Sequence, residues 1–83
     1  MEKITIQFSK KAYEDYISLP LNYKEIVDDN LERMEKGIPI DIKPIRGEKD
    51  TFRIRIGKYS LLFVKEAGAI IIIKIKTRGE IYK

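Results

Sequence analysis

Two segments near the end of the sequence place positive charges at every second residue. The arginines of FRIRIG (residues 52–57) alternate with apolar residues, and in IKIKTR (residues 73–78) Lys74, Lys76 and Arg78 do the same. Alternate residues of a β-strand point to the same face of a sheet. If both segments are strands of one antiparallel sheet, five cations converge on one surface. The spacing therefore predicts a concave, basic face.

Such a face suits RNA or DNA. Guanidinium groups match phosphate oxygens in two-point contacts, and Tyr59 and Tyr82, near the strand ends, offer rings for base stacking. A structural explanation competes with this one, because outward lysines also protect an edge strand from aggregation. That device does not require the paired arginines Arg53 and Arg55 on a neighbouring strand. The spacing favours nucleic-acid binding by a small margin.

RNA carries its own nucleophile, the 2′-hydroxyl. A metal-free ribonuclease has to orient that hydroxyl, neutralise the pentavalent phosphate and assist proton transfer. The sequence contains no His and no Cys. Proton transfer would therefore fall to Tyr82, to a lysine whose pKa is lowered by neighbouring cations, or to a carboxylate such as Glu80. This is weak chemistry for an autonomous nuclease, and a partner that positions the RNA would relieve the demand.

Length and composition limit the other classes of protein. The 83 residues suit a single domain, residues 1–83, with one modest core. Without cysteine there is no disulfide framework and no thiolate nucleophile, and we expect neither a metal nor a cofactor. Met1 leads into alternating residues rather than a basic patch and a long apolar run, so we expect no signal peptide, no membrane span and a cytoplasmic protein.

The net charge of +4 is unevenly distributed. Residues 1–42 contain 6 Lys and Arg against 9 Asp and Glu, a balance of −3. Residues 43–83 contain 11 against 4, a balance of +7. We therefore expect a polyanion to bind the second half of the chain.

Hydrophobic periodicity predicts the elements that position the cations. KITIQF alternates and predicts a strand, followed by a helix over residues 10–19 that Ser9 caps and Pro20 ends. A second helix follows, for which Asn22 and Glu25 suggest a capping box. The buried stripes are expected to be Ala12, Tyr13, Tyr16 and Ile17 in the first helix and Tyr23, Ile26, Val27, Leu31 and Met34 in the second.

The remaining sequence predicts strands joined by turns. Residues 38–50 form a connector with an extended portion, and residues 51–57 a strand with Phe52, Ile54 and Ile56 inward. YSLLFVKE predicts a central strand covered on both faces, and AIIIIKIKTR the strand after it. The predicted class is α+β: an N-terminal strand, an antiparallel helical hairpin, then an antiparallel three- to four-stranded meander that forms one sheet with the first strand.

This layout resembles the RelE/ParE superfamily of toxins from toxin–antitoxin operons, especially its archaeal RelE-type members. The resemblance covers nearly the whole chain and is carried by IKPIRG (residues 42–47), FRIRIGKYSLLF (52–63) and KIKTRGEIYK (74–83). It implies a ribosome-dependent mRNA endonuclease that cleaves the codon in the decoding site by metal-free attack of the 2′-hydroxyl. The ribosome would then supply the positioning. It also implies a cognate antitoxin that wraps the toxin and covers or distorts its basic surface.

By match of position, the resemblance assigns roles to individual residues. Phosphate binding and charge stabilisation fall to Arg53, Arg55, Lys76 and Arg78, and stacking or proton transfer to Tyr82. Further RNA contacts are expected from Lys43, Arg46, Lys58, Tyr59 and Lys74.

Two positions depart from the family pattern. Ser60 stands where the motif commonly has an arginine, and Thr77 where related toxins often have a histidine. Loss of one phosphate-contacting arginine costs a few kcal/mol of transition-state stabilisation, which is orders of magnitude in rate. Two alternatives therefore stay open: a ParE-like poison of DNA gyrase, and a weakened toxin that binds antitoxin or nucleic acid without cleavage.

Overall fold

The computed structural model describes residues 4–77, in which two helices pack on one face of a five-stranded sheet. The elements are β1 (Thr5–Phe8), α1 (Lys10–Ile17), α2 (Leu21–Glu35), β2 (Ile42–Pro44), β3 (Thr51–Ile56), β4 (Tyr59–Glu66) and β5 (Ala69–Thr77). The strand order is β1-β5-β4-β3-β2, with β1 parallel to β5 and the other neighbours antiparallel. The predicted α+β class is confirmed. No helix in this part of the chain is long and apolar enough to cross a bilayer.

The core lies between the helices and alternate residues of the three inner strands. The sheet contributes Ile54, Ile56, Leu61, Phe63, Ile70, Ile72 and Ile75, and the helices Ala12, Leu19, Val27, Leu31 and Met34. Leu61 and Phe63 of the central strand β4 are 0% and 1% exposed. The rings of Phe52 and Phe63 stack across the β3–β4 pair with their centroids 5.5 Å apart. Cross-strand contacts of this kind hold the meander together.

The first helix has the predicted cap but a different buried side. Ser9 Oγ accepts a hydrogen bond from the Ala12 N–H at 3.1 Å, which satisfies one donor of the first turn. The predicted stripe is wrong at Tyr13 and Ile17, which are 54% and 51% exposed. Asp15 is buried instead. The reason is that α1 lies along the edge of β5, where a carboxylate finds a partner.

The second helix begins earlier than the capping box predicts. Its first residue is Leu21, its N-cap is Pro20, and no side chain caps it, so the prediction of a capping box at Asn22 and Glu25 is wrong. Proline suits a helix start because its fixed φ costs nothing there. Ile26 is 44% exposed and does not join the core. The other predicted residues are buried or partly buried: Tyr23, Val27, Leu31 and Met34.

The central strand is covered fully on one face only. Leu62 and Val64 are half-buried on the face opposite the helices, and no helix of residues 4–77 lies over them. The prediction that β4 is covered on both faces is therefore wrong in part. Arg53 and Lys74 flank Leu62 in the cross-strand register, and long charged side chains of this kind can shield an apolar residue with their aliphatic stems.

The turn between β3 and β4 depends on Gly57. Its φ is +58°, and a Cβ here would lie 2.9 Å from Cε1 of Tyr23, whose ring packs on Tyr59 at 4.8 Å. We expect Gly57→Ala to lower the free energy of unfolding by about 2–3 kcal/mol, because left-handed strain and the displaced ring add. In the control Gly68→Ala, φ is +73° and nothing lies within 4 Å. Gly68→Ala should lower the free energy of unfolding, measured by urea denaturation, by about 1 kcal/mol. Equal losses for the two variants would contradict an effect of the contact with the Tyr23 ring.

Tyr16 links the two helices and gives the fold a pH dependence. Its hydroxyl donates to Asp28 Oδ1 at 2.6 Å, and this bond to a carboxylate raises the pKa of Tyr16 from 10.0 to about 12. The folded protein holds the phenol proton more tightly than the unfolded chain does. The stabilisation is therefore complete below pH 10 and is lost as the pH rises to about 12.

We expect the difference in unfolding free energy between the wild type and Tyr16→Phe to shrink across that alkaline window. The measurement is urea denaturation at a series of pH values. Titrating lysines affect both proteins and cancel in the difference. Ser18→Ala, which removes the bond from Ser18 Oγ to the Glu14 carbonyl, is a control without a titrating group, and its difference should stay constant. A constant difference for Tyr16→Phe as well would show that the Asp28 bond contributes nothing.

Candidate nucleic-acid interface

The face of the sheet opposite the helices carries two neighbouring rows of polar and charged residues. The first row is Lys43, Arg53, Leu62 and Lys74, and the second is Arg55, Ser60 and Lys76. Residues paired directly across strands point to the same face. Strands lie about 4.8 Å apart, so the Cα atoms of the outer residues are about 14 Å apart in the first row and about 10 Å apart in the second. We call Lys43, Arg53, Arg55, Lys74 and Lys76 the basic face.

A bulge in β5 determines which face these lysines occupy. The pairing of β4 with β5 shifts between Leu62 and Phe63, which pair with Lys74 and Ile72, so Ile73 is the extra residue. Before the bulge, even-numbered residues such as Ile72 face the helices. After it the parity is reversed, and Ile75 is buried at 2% exposure while Lys74 points to the open face. Without the extra residue, continued alternation would direct the lysines into the core.

Beyond the bulge, helix α1 takes over the strand edge that β1 leaves. β1 ends opposite Ile72, whose carbonyl accepts a hydrogen bond from the Ser9 N–H at 2.8 Å. Ser9 Oγ lies 3.5 Å from the Ile73 carbonyl. Farther along, the Ile75 N–H donates to Asp15 Oδ2 at 3.1 Å. Within residues 4–77, the edge that carries the lysines is thus capped by polar groups of α1 and its N-cap Ser9 rather than by another strand.

Asp15 also holds a cation of the basic face. Its side chain is 3% exposed, and its Oδ1 lies 2.9 Å from Lys76 Nζ and 3.8 Å from Lys11 Nζ. A buried carboxylate needs such partners, because desolvation without them is costly. Sequence reasoning missed Asp15. The available signal was its spacing of three residues from Ala12, which places both on one side of a helix.

Ser60 lies in the middle of the second row, between Arg55 and Lys76. It is 0% exposed, and its Oγ has no hydrogen-bond partner in the part of the chain that the structure describes. A buried hydroxyl without a partner is unfavourable. The row therefore presents two cations separated by a small polar residue, at the position where the resemblance predicts a third cation.

The other residues predicted from sequence are distributed differently. Tyr59 lies on the helix side, where its ring packs on Tyr23 at 4.8 Å, and Lys58 Nζ lies 5.7 Å from the Tyr59 ring centroid. Arg46 is exposed in the turn after β2. These residues are not part of the basic face, and their contacts with RNA stay predictions. Arg78, Glu80 and Tyr82 lie outside the described residues, so their roles stay predictions.

The indentations that residues of the basic face line differ in volume. One of about 300 Å³ lies beside Lys76 and is lined also by Asp15 and Tyr59. Asp41, Lys43, Arg53 and Arg55 line one of about 40 Å³, which suits a water or a phosphate oxygen rather than a nucleotide. Between residues 4 and 77, no three acidic side chains are grouped so that they could hold a metal ion. The chemistry that this arrangement offers is electrostatic: fixed cations that bind successive phosphates and stabilise added negative charge.

Comparisons with known proteins give one relative along the whole chain. No family model matches the sequence. A Methanocaldococcus jannaschii protein that carries the name RelE1 toxin is 29% identical over 87 residues, covering 98% of this chain and 97% of that protein. Nearly complete coverage of both chains means that the similarity includes all the elements described above.

Solved structures agree in fold. The RelB–RelE antitoxin–toxin complex from Methanococcus jannaschii matches with a TM-score of 0.81 and 26% identity, covering 92% of this chain and 94% of that one. The isolated Escherichia coli RelE toxin matches with a TM-score of 0.79 and 19% identity, covering 95% and 90%. At 19% identity the second match shows the fold alone. In sequence and in fold, the chain is therefore similar to toxins of the RelE superfamily, archaeal members among them.

Proposed function

We propose that the chain is the toxin of a toxin–antitoxin pair and that it cleaves mRNA in the ribosomal decoding site. The observation that supports this most directly is the basic face, in which cations from three strands share one surface. Strand pairing fixes the backbone positions of its members, so the cations are grouped on one surface before a message binds. Similarity to RelE toxins supports the choice of mRNA over other polyanions.

The proposed reaction uses the nucleophile of the RNA itself. The 2′-oxygen attacks the adjacent phosphorus, the bond to the 5′-oxygen of the next nucleotide breaks, and a 2′,3′-cyclic phosphate forms. Arg53, Arg55, Lys76 and Arg78 stabilise the charge of the pentavalent phosphate, while Lys43 and Lys74 bind flanking phosphates. Tyr82 stacks on a base or transfers a proton. The ribosome holds the message in the in-line geometry that this small set of groups cannot impose.

The same face is proposed to receive the antitoxin. The similar Methanococcus jannaschii structure is a toxin bound to its antitoxin, which supports a comparable partner for this chain. Acidic residues of an extended antitoxin segment would pair with the cations and exclude the message. Folding of such a segment on binding allows a large contact area.

The test is cleavage of a defined message on translating ribosomes by the purified protein, with 5′ ends mapped. We expect cuts in the vacant decoding site and a loss of about 10²–10³-fold in rate for Arg55→Ala, because a charge that stabilises the transition state is removed. Arg33→Ala is the matched control. Arg33 is an arginine of α2 that pairs with Asp29 at 3.1 Å and lies outside the basic face, and its loss should change the rate less than about twofold.

Other outcomes select other functions. If the wild type leaves the message uncut while a known RelE toxin cuts it, the enzymatic proposal is wrong. Inhibition of DNA gyrase without RNA cleavage would then select a ParE-like poison. Harmless expression together with tight antitoxin binding would select a toxin that binds without cleaving, as the serine at position 60 allows.

A further inference from the structure

We infer that Asp15 is a positioning residue of the basic face, whose carboxylate fixes the end of β5 and the Lys76 ammonium where RNA phosphate is bound. This inference deepens the proposed function and rests on it for the role of Lys76. Asp15 itself touches no RNA in this scheme. It acts through the strand and through Lys76.

The two oxygens of Asp15 have separate tasks. Oδ2 accepts the hydrogen bond from the Ile75 N–H, which continues the edge contacts of β5 beyond the end of β1. Oδ1 lies 2.9 Å from Lys76 Nζ. One buried group therefore fixes both the backbone and the side chain of adjacent residues. A neutral amide can replace the first interaction, but it cannot replace the second.

The position of the pair explains why it bears on RNA binding. Lys76 is opposite Ser60 in the second row, and its side chain remains 29% exposed although its ammonium contacts a carboxylate that is 3% exposed. The ammonium is thus anchored by a buried carboxylate, while part of the Lys76 side chain is accessible from outside. A lysine has four rotatable bonds, and anchoring removes most of its freedom before the ligand arrives. Preorganised charge of this kind stabilises a transition state without reorganisation.

The effect of the Asp15 carboxylate can be distinguished from an effect of net charge, because α1 carries a second carboxylate. Glu14, the residue before Asp15, is exposed on the same helix. Replacing either carboxylate by its amide changes the net charge of the protein by the same amount. Any effect of overall charge on binding to the ribosome is therefore the same for both variants, and Glu14→Gln is a matched control for Asp15→Asn.

The first experiment measures single-turnover cleavage on programmed ribosomes. For Asp15→Asn we expect a fall of at least about tenfold in the rate at saturating protein, with the concentration for half-saturation changed less than about threefold. Glu14→Gln should change neither quantity. In a protein that already carries Lys76→Gln, Asp15→Asn should have no further effect on the rate. If Asp15→Asn cleaves like Glu14→Gln, or if the two losses multiply independently, the inference is wrong.

The second experiment does not depend on cleavage. Urea denaturation of the wild type, Asp15→Asn, Lys76→Gln and the double variant gives a double-mutant cycle in the unfolding equilibrium constant. We expect a coupling of at least about fivefold, because Asp15→Asn removes the carboxylate that Lys76 contacts, and Lys76→Gln leaves Lys11, at 3.8 Å, as the remaining ion-pair partner of Asp15. If Asp15→Asn fails to fold, the double variant, which lacks both charges, should still fold and should match the cleavage rate of Lys76→Gln.

These readouts separate the two proposals. A wild-type protein that does not cut RNA overturns the proposed function, and the unfolding cycle then judges the Asp15–Lys76 link alone. Coupling near one in that cycle overturns the inference whether or not the wild type cuts RNA.

Discussion

The two-residue period of a β-strand is the constraint on which this molecule depends. β5 has to bury Ile70, Ile72 and Ile75 against the helices, and this spacing is incompatible with uninterrupted alternation. The bulge at Ile73 resolves the conflict by adding one residue to β5 and none to β4. One strand thereby packs isoleucines into the core and presents lysines to the opposite face. Strand pairing beyond the bulge then aligns Lys74 and Lys76 with the arginines of β3.

The edge of β5 beyond the end of β1 also needs hydrogen-bond partners. β1 pairs with only the first part of β5, and the remaining edge would expose unpaired backbone groups. Helix α1 meets this need with the polar contacts of Ser9 and Asp15. The cost is a carboxylate in the interior, which the Lys76 ammonium offsets. Stability at this end of the sheet and the placement of a surface cation are consequences of one interaction.

Local patterns predicted most of the strands and few of the details that place the cations. Alternation identified the arginine face of β3, since Ile54 and Ile56 had to face a core. The exposure of Tyr13, Ile17 and Ile26 could not be predicted in this way, because the buried side of an amphipathic helix depends on what it packs against. Because residues 70–73 are all isoleucines, the sequence does not indicate where β5 bulges. The bond between Asp15 and Ile75 joins residues 60 apart in sequence, beyond any local periodicity.

The serine in the second row affects the electrostatics of the free protein and, under the proposed function, those of its complex with mRNA and the ribosome. Two unit charges 5 Å apart repel by about 1 kcal/mol in water and about 3 kcal/mol at an effective dielectric constant of 20. A third cation at position 60 would impose a repulsion of this order on Arg55 in the free protein, while the Asp15 carboxylate offsets the charge of Lys76. A serine avoids it at the cost of a buried hydroxyl without a described partner. Under the proposed function, a serine at position 60, where the resemblance predicts an arginine, also lowers the positive charge that a transition-state phosphate meets. Under the proposed function, the geometry supplied by the ribosome therefore has to contribute more of the rate.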